Sequence, residues 1–261
     1  MNMKNKINKR SPKWYGWLPD LSDHRDLLYA KIVPKVVKLP AKVDLRAGCS
    51  PIENQRTLGS CTAQALVGAL ESLEKKDGVP FVDLSRLFVY YNERVIEGTV
   101  NDDSGAFLRD GIKSLAKQGV CPEQSWPYAV SDFAKKSAAS CYETARRHRI
   151  KSYHRINSLD EMRSCLAEGY PFVFGFTVYA SFESDAVAKS GVLNLPGKNE
   201  KVEGGHAVVA VGYNDSQKRF LIRNSWDTDW GMEGYYTMPY GYLADRNLSG
   251  DFWTIRASEE D

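Results

Sequence analysis

The chain has few histidines, four in 261 residues, and none of its five cysteines form a CxxC pair. Zinc ribbons, zinc fingers and dithiol redox motifs all need clustered ligands, so they are excluded, and neither a metal nor another cofactor is expected. Charge of one sign is not in excess either: 35 Lys and Arg stand against 33 Asp and Glu, a formal net charge of +2. No basic patch alternates with aromatics, which sets nucleic acid aside as a partner. Long hydrophobic runs are missing too. The most apolar stretch, 170–182, is too short to span a bilayer and is interrupted by Gly175 and Thr177, so no membrane anchor is expected. The basic residues 1–10 lead into Ser11-Pro12-Lys13-Trp14-Tyr15, where a secretory signal would carry its apolar core. With no export signal visible, the expectation is a cytoplasmic protein with reduced thiols, non-classical export or virion packaging being left open.

What is present suffices for a sizeable core. At 43% hydrophobic, 261 residues fit one large domain or two small lobes, expected to act as a monomer. Residues 1 to about 12 are basic and aperiodic and are expected to be disordered. Trp14 to Tyr29 is unusually aromatic for a tail and needs a surface to cover, and residues 32–40 read as an extended, proline-punctuated linker. Leu66, Ala69, Leu70 and Leu73 recur at i, i+3, i+4 and i+7, which predicts a buried helix from about Ser60 to Lys75. A second helix is expected over residues 85–92, and Leu108, Ile112 and Leu115 define a third that ends at Gly119. The second half changes period. Residues 171–178, 207–213, 220–226 and 234–238 are β-branched and aromatic runs bounded by turns, read as an antiparallel sheet or small barrel. The fold class is therefore α+β: an N-terminal extension (1–38), then a domain (39–261) with a mainly helical lobe at about 39–130 and a mainly β lobe at about 150–240.

Cys61 falls in the first turn of the predicted long helix, where orphan N–H groups and the positive dipole end favour thiolate. A lone cysteine in an alanine-rich helix also reads as a small core residue. Cys49, Cys121, Cys141 and Cys165 are expected to be structural, with one or two disulfides left open. Among the histidines, His206 opens an apolar strand after Gly204-Gly205, and Asn224-Ser225-Trp226 ends the next one. If these strands pair, an imidazole and an amide meet opposite a cysteine at a helix N-terminus, a Cys-His-Asn arrangement suited to nucleophilic catalysis.

On these residues the chain resembles the papain-like cysteine peptidases, the C1 family, over roughly residues 40–256. Val43-Asp44-Leu45-Arg46 resembles the mature start, Asn54-Gln55 through Gly59-Ser60-Cys61 the nucleophile loop, and Asp103-Ser104-Gly105 the substrate-binding glycine loop. Gly205-His206-Ala207-Val208 and residues 224–235 resemble the histidine and asparagine motifs. His206 lies 145 residues beyond Cys61, within the family's separation of about 130–150, and Asn224 lies 163 beyond, slightly outside it. The departures are Leu58 where the family has a disulfide cysteine, Thr62 in place of an aromatic, Ser104 in place of a glycine, and Gly205 where Asp or Asn is common. They suggest a divergent, prokaryote-type or viral-type member.

The resemblance implies a two-lobe fold with the active-site cleft between the lobes and a polypeptide substrate hydrolysed through an acyl-enzyme thioester. Cys61 and His206 would be the ion pair, Asn224 would orient the imidazole, and Gln55 would complete an oxyanion hole. Substrate contacts are expected from Ser104, Gly105, Gly205 and Trp226, with Trp226 also shielding the His-Asn bond. Members are commonly zymogens, so the segment around Trp14–Tyr29 is expected to occlude the site as an intramolecular inhibitor. A tail pinned to the back of the fold is the competing expectation. Acyl transfer or transpeptidation from the same thioester, and a catalytically locked binding protein, are the competing functions.

Overall fold

The computed structural model describes residues 15–32 and 38–258. The basic tail expected to be disordered lies outside the described residues, as does the middle of the linker. In chain order the elements are strands β1 (Trp17–Leu18) and β2 (Lys42–Asp44), then helices α1 (Cys61–Lys76) and α2 (Arg86–Glu97). Strand β3 (Ala106–Phe107), helices α3 (Leu108–Lys117) and α4 (Ala139–Ala145), and strand β4 (Ile150–Arg155) follow. Helix α5 (Leu159–Ala167), strand β5 (Phe172–Tyr179) and helix α6 (Asp185–Ser190) lead to the long strand β6 (Val202–Asn214). The chain closes with β7 (Arg219–Arg223), β8 (Tyr235–Pro239), α7 (Tyr240–Ala244) and β9 (Ser249–Ser258).

The sheet runs β4-β9-β5-β6-β7-β8 with β2 added to β6, and its ladders are antiparallel. β5 and β6 are buried on both faces, which is why they read as continuous apolar runs rather than alternating ones. Val173, Ala207 and Val209 point to the core shared with α1, whereas Phe172, Phe174, Phe176 and Val208 point to a second, aromatic core. The first core holds Leu66, Leu70 and Leu73 of α1 with Leu87 and Ile112 of α2 and α3.

Helix α1 is buried from Cys61 to Glu74, so it is the axle of the helical lobe rather than a surface helix. Its buried acids are paired: Glu71 accepts from Arg86 Nη2 at 2.7 Å and from Ser50 Oγ at 2.5 Å, and Glu74 meets His148 Nδ1 at 2.9 Å. Ser85 caps α2 by accepting from Phe88 N–H, and Gly98 ends it at φ +74°, a turn only glycine adopts without strain. The helix is therefore longer than the 85–92 expected. Leu58, where the family has a disulfide cysteine, is 3% exposed and packs in the core, so burial replaces the covalent tie. All five cysteines are free thiols.

Candidate active site

The loop before α1 and the turn after β7 are laced together. Gln55 N–H donates to Ser225 O at 3.0 Å, and Asn54 bridges Trp226. This brings the N-terminus of α1, which carries Cys61, against the stretch of β6 that carries His206. His206 Nε2 lies 2.9 Å from Asn224 Oδ1. The same oxygen accepts Ser225 N–H at 2.9 Å, so it is the amide's oxygen that faces the ring. Nε2 therefore carries the hydrogen, and Nδ1 is the nitrogen able to exchange a proton with a thiol.

Trp226 covers this bond, its ring 5.1 Å from the imidazole at 30°, with Phe176 and Phe182 completing an apolar surround. Gln55 is fully buried and oriented from both ends: Oε1 accepts Ser225 Oγ–H at 2.7 Å and Trp226 Nε1–H at 3.2 Å, and Nε2 donates to Leu58 O at 2.9 Å. Two donors on Oε1 settle which amide atom is which.

The helix-dipole expectation for Cys61 needs a correction in this state. The thiol is completely buried, and burial pushes it up from 9.0 to about 11, although the Ala207, Gly16 and Thr62 backbone N–H groups pull it down. Desolvation of an anion outweighs a few aligned dipoles when no water reaches the sulfur. What excludes the water is the N-terminal segment. Tyr15 packs edge-on against His206 at 5.9 Å and on Trp226 at 6.1 Å. Gly16 lies backbone to backbone on Gly59 and Gly105: a Cβ on Gly16 would stand 1.6 Å from Gly59 O, and one on Gly105 2.1 Å from Gly16 O. Gly16 O accepts Ala106 N–H at 2.7 Å, and β1 pairs with β3 in parallel.

Among the expected substrate contacts, Gly105 lies against Gly16 and Gly205 against Trp17 of the N-terminal segment. The Ser104 hydroxyl turns to Thr99 Oγ1 at 3.0 Å and to Gly105 O at 3.1 Å, which leaves its backbone as the part offered to a substrate. Sequence reasoning missed the framing groups. Asp103 accepts Gly59 N–H at 2.9 Å and Tyr90 O–H at 2.5 Å, and Tyr128 O–H donates to Gln55 O at 2.9 Å. Thr62, the departure beside the nucleophile, donates to Glu93 Oε2 at 2.9 Å, a carboxyl that burial raises well above its ordinary range. No local pattern marks these pairings, since the partners stand 13 to 73 positions apart in sequence.

Residues 39–248 match the papain family cysteine protease profile. The chain belongs to the papain family of cysteine proteases. It is 39% identical over 269 aligned positions to an uncharacterized peptidase C1-like protein of Acanthamoeba polyphaga mimivirus, covering 93% of this chain and 86% of that one. It is 29% identical to cysteine proteinase 1 of Entamoeba histolytica, but spans 64% of that protein's length. Among solved structures it is similar to xylellain, a cysteine protease from Xylella fastidiosa, at 42% identity and TM-score 0.88, covering 96% of this chain and 98% of that one. A digestive procathepsin from the Tenebrio molitor larval midgut shares the fold at 22% identity and TM-score 0.74. This papain-family chain is thus a cysteine-type peptidase with the two-lobe α+β fold of its relatives. No helix among the described residues is long and apolar enough to cross a membrane.

Proposed function

We propose that Cys61 is the nucleophile, that His206 is its acid-base partner, and that residues 15–32 hold the enzyme latent. The observation that supports the first part is the His206–Asn224 bond at 2.9 Å beside the N-terminus of α1. In the open enzyme the Cys61 thiolate attacks the peptide carbonyl, and His206 Nδ1–H protonates the leaving amine. His206 then takes a proton from water as the thioester is hydrolysed. Asn224 and Trp226 position the ring. In the open enzyme Gln55 Nε2 donates to the developing oxyanion. Gln55→Ala is expected to lower kcat/KM on the order of 100-fold with peptide substrates. A loss below about threefold would remove Gln55 from the oxyanion hole. The function itself is tested by cleavage of a peptide mixture that disappears when Cys61 is replaced.

Latency is supported by how the segment meets the sulfur. Gly16 presents its N–H to the thiol, while its carbonyl is engaged by Ala106 N–H. The nucleophile faces a donor instead of an electrophile, so the segment occupies the cleft without becoming a substrate. Two arginines, one on α3 and one on β4, hold it there. Arg109 on α3 bonds Asp26 at 2.7 Å and Leu21 O at 2.6 Å, and Arg155 on β4 bonds Asp20 at 3.1 Å, Asp26 at 2.8 Å and Asp251 at 3.2 Å.

Asp20 sets the pH response. Its carboxylate faces Arg155 Nη2, Trp253 Nε1 and the Arg109 amide, with Asp251 alongside. Burial, and then the Asp251 charge, raise it from 3.8 to about 6 in the docked state. A carboxyl raised on docking takes up a proton there, so its contribution is full below about pH 4 and is lost as pH rises through about 6. Acid should therefore tighten the segment, and proteolytic nicking of residues 15–32 should be slower at pH 5 than at pH 7. Asp20→Asn should flatten that difference. Faster nicking of wild type at pH 5, with the added protease normalised on an unfolded standard, would reverse the sign.

A further inference from the structure

The peptide unit that joins Leu58 to Gly59, just ahead of Ser60 and Cys61, is held from both edges. On one edge Leu58 O accepts Gln55 Nε2–H at 2.9 Å. On the other, Gly59 N–H donates to the Asp103 carboxylate, 2.9 Å from Oδ1 and 3.2 Å from Oδ2. A trans peptide is planar and aims its C=O and N–H in opposite directions, so fixing one edge fixes the other. Asp103 thereby sets the plane to which the Gln55 amide is tied.

Asp103 is itself braced. Tyr90 on α2, fully buried, donates its O–H to Asp103 Oδ1 at 2.5 Å and accepts Gly105 N–H at 3.2 Å. Burial and then the Asp103 charge raise the phenol far above its ordinary range, so the proton stays on Tyr90 and the direction of these bonds is fixed. One turn further along α2, Arg94 donates to Val100 O at 2.9 Å and to Asp102 O at 3.0 Å, with its guanidinium 4.0 Å from the centre of the Tyr90 ring. These bonds pin the loop that carries Asp103. The loop before α1, helix α2 and residues 99–105 supply every one of these groups, so the arrangement stays when residues 15–32 leave.

We infer that Asp103 is a positioning residue for the oxyanion hole: through the Leu58–Gly59 peptide it aims the Gln55 side-chain amide at the oxygen that becomes negative. It rests on the reading that Gln55 Nε2 donates to that oxygen. Two effects reach Gln55 by this route. The first is orientation, because a turn of the Leu58–Gly59 plane moves the Leu58 acceptor and the amide bound to it. The second is polarisation: a carboxylate on the N–H edge makes the C=O edge of the same peptide a stronger acceptor. The rival account is a tie between two loops that supports the fold and has no particular link to Gln55.

The two accounts differ in whether the loss depends on Gln55. Peptide cleavage is measured in the full-length Gly16→Val chain, whose segment cannot dock, alone and with Asp103→Ala, Gln55→Ala or both. Asp103→Ala should lower kcat roughly tenfold and leave KM within about twofold, since an oxyanion donor acts in the transition state. Asp103→Asn keeps an acceptor for Gly59 N–H and should recover to within about threefold of the parent. In the Gln55→Ala background the Asp103→Ala loss should shrink below about twofold, because the group it positions is gone. Losses that multiply in full overturn the inference, as does no loss in either background or a loss carried by KM. Protection of Cys121 and Cys165 from iodoacetamide reports an intact fold, and Asp103→Leu, similar in size and without an acceptor, replaces Asp103→Ala if that variant does not fold.

Absence of Cys61-dependent cutting in the parent sinks the peptidase reading instead, and a second measurement then decides the role of Asp103. In the otherwise wild-type chain, deuterium exchange of the Gln55 side-chain amide, read by NMR, should be about tenfold faster with Asp103→Ala. The Asn92 side-chain amide on α2, bonded to Phe88 O at 2.8 Å, should not change. Equal protection of Gln55 in the two chains overturns the inference.

Discussion

Gly16→Val should expose Cys61 and raise its alkylation rate by iodoacetamide at pH 7.5 on the order of 1000-fold. The argument is steric first. A Cβ at Gly16 would sit 1.6 Å from Gly59 O and 2.4 Å from Gly59 C, both backbone atoms at the loop that carries the nucleophile, so neither side can yield cheaply. The segment cannot dock, water reaches the sulfur, and the cause of its raised pKa is removed. A fall from about 11 back to 9.0 alone multiplies the thiolate fraction at neutral pH about 100-fold. Access to reagent supplies at least about another tenfold, because a fully buried thiol reacts only through local opening. The other buried thiols are the internal control: Cys121 and Cys165 are fully buried and Cys141 is 3% exposed, and all should stay unlabelled if the body of the fold is intact. An unchanged rate at Cys61 would show that the segment does not guard the thiol.

Placed in that opened chain, Cys61→Ala should abolish peptide cleavage, with kcat falling at least about 10⁴-fold. The size of the loss follows from the site's design. Gln55, Asn224 and Trp226 position donors and the imidazole, but none of them offers a nucleophile, and His206 Nε2 is already committed to Asn224. Removing the sulfur leaves oxyanion stabilisation and binding only, which act on a nucleophile that is no longer there. Cuts that persist in the Cys61→Ala chain at the wild-type positions would assign the chemistry elsewhere.

Much of the site was legible before any fold was known, because its parts lie on short local signals. The apolar spacing of Leu66, Ala69, Leu70 and Leu73 predicts α1 almost to its ends, and so puts Cys61 in the first turn. Gly204-Gly205-His206 and Asn224-Ser225-Trp226 stand on successive apolar runs whose only economical pairing is antiparallel, and β6 and β7 do pair so. Residues 171–178 and 207–213 read as strands for the same reason. The extent of β9, and its insertion between β4 and β5, were not legible, since strand order depends on contacts 73 to 108 residues apart and leaves no local trace.

By itself, then, the sequence determined most of the elements and nominated the candidate groups: periodicity places a cysteine at a helix mouth, a histidine on one strand and an asparagine at the end of the next, and the family resemblance proposes their roles. Only the tertiary structure decided the state of those groups. The first turn of α1 favours a thiolate, yet Cys61 is held as a thiol because Tyr15, Gly16 and Trp17 close over it, an effect of desolvation that no local pattern encodes. The tertiary structure likewise gathered Gly175, Gly205 and Gly250 around the Trp17 indole. Those glycines come together only because three strands set them side by side.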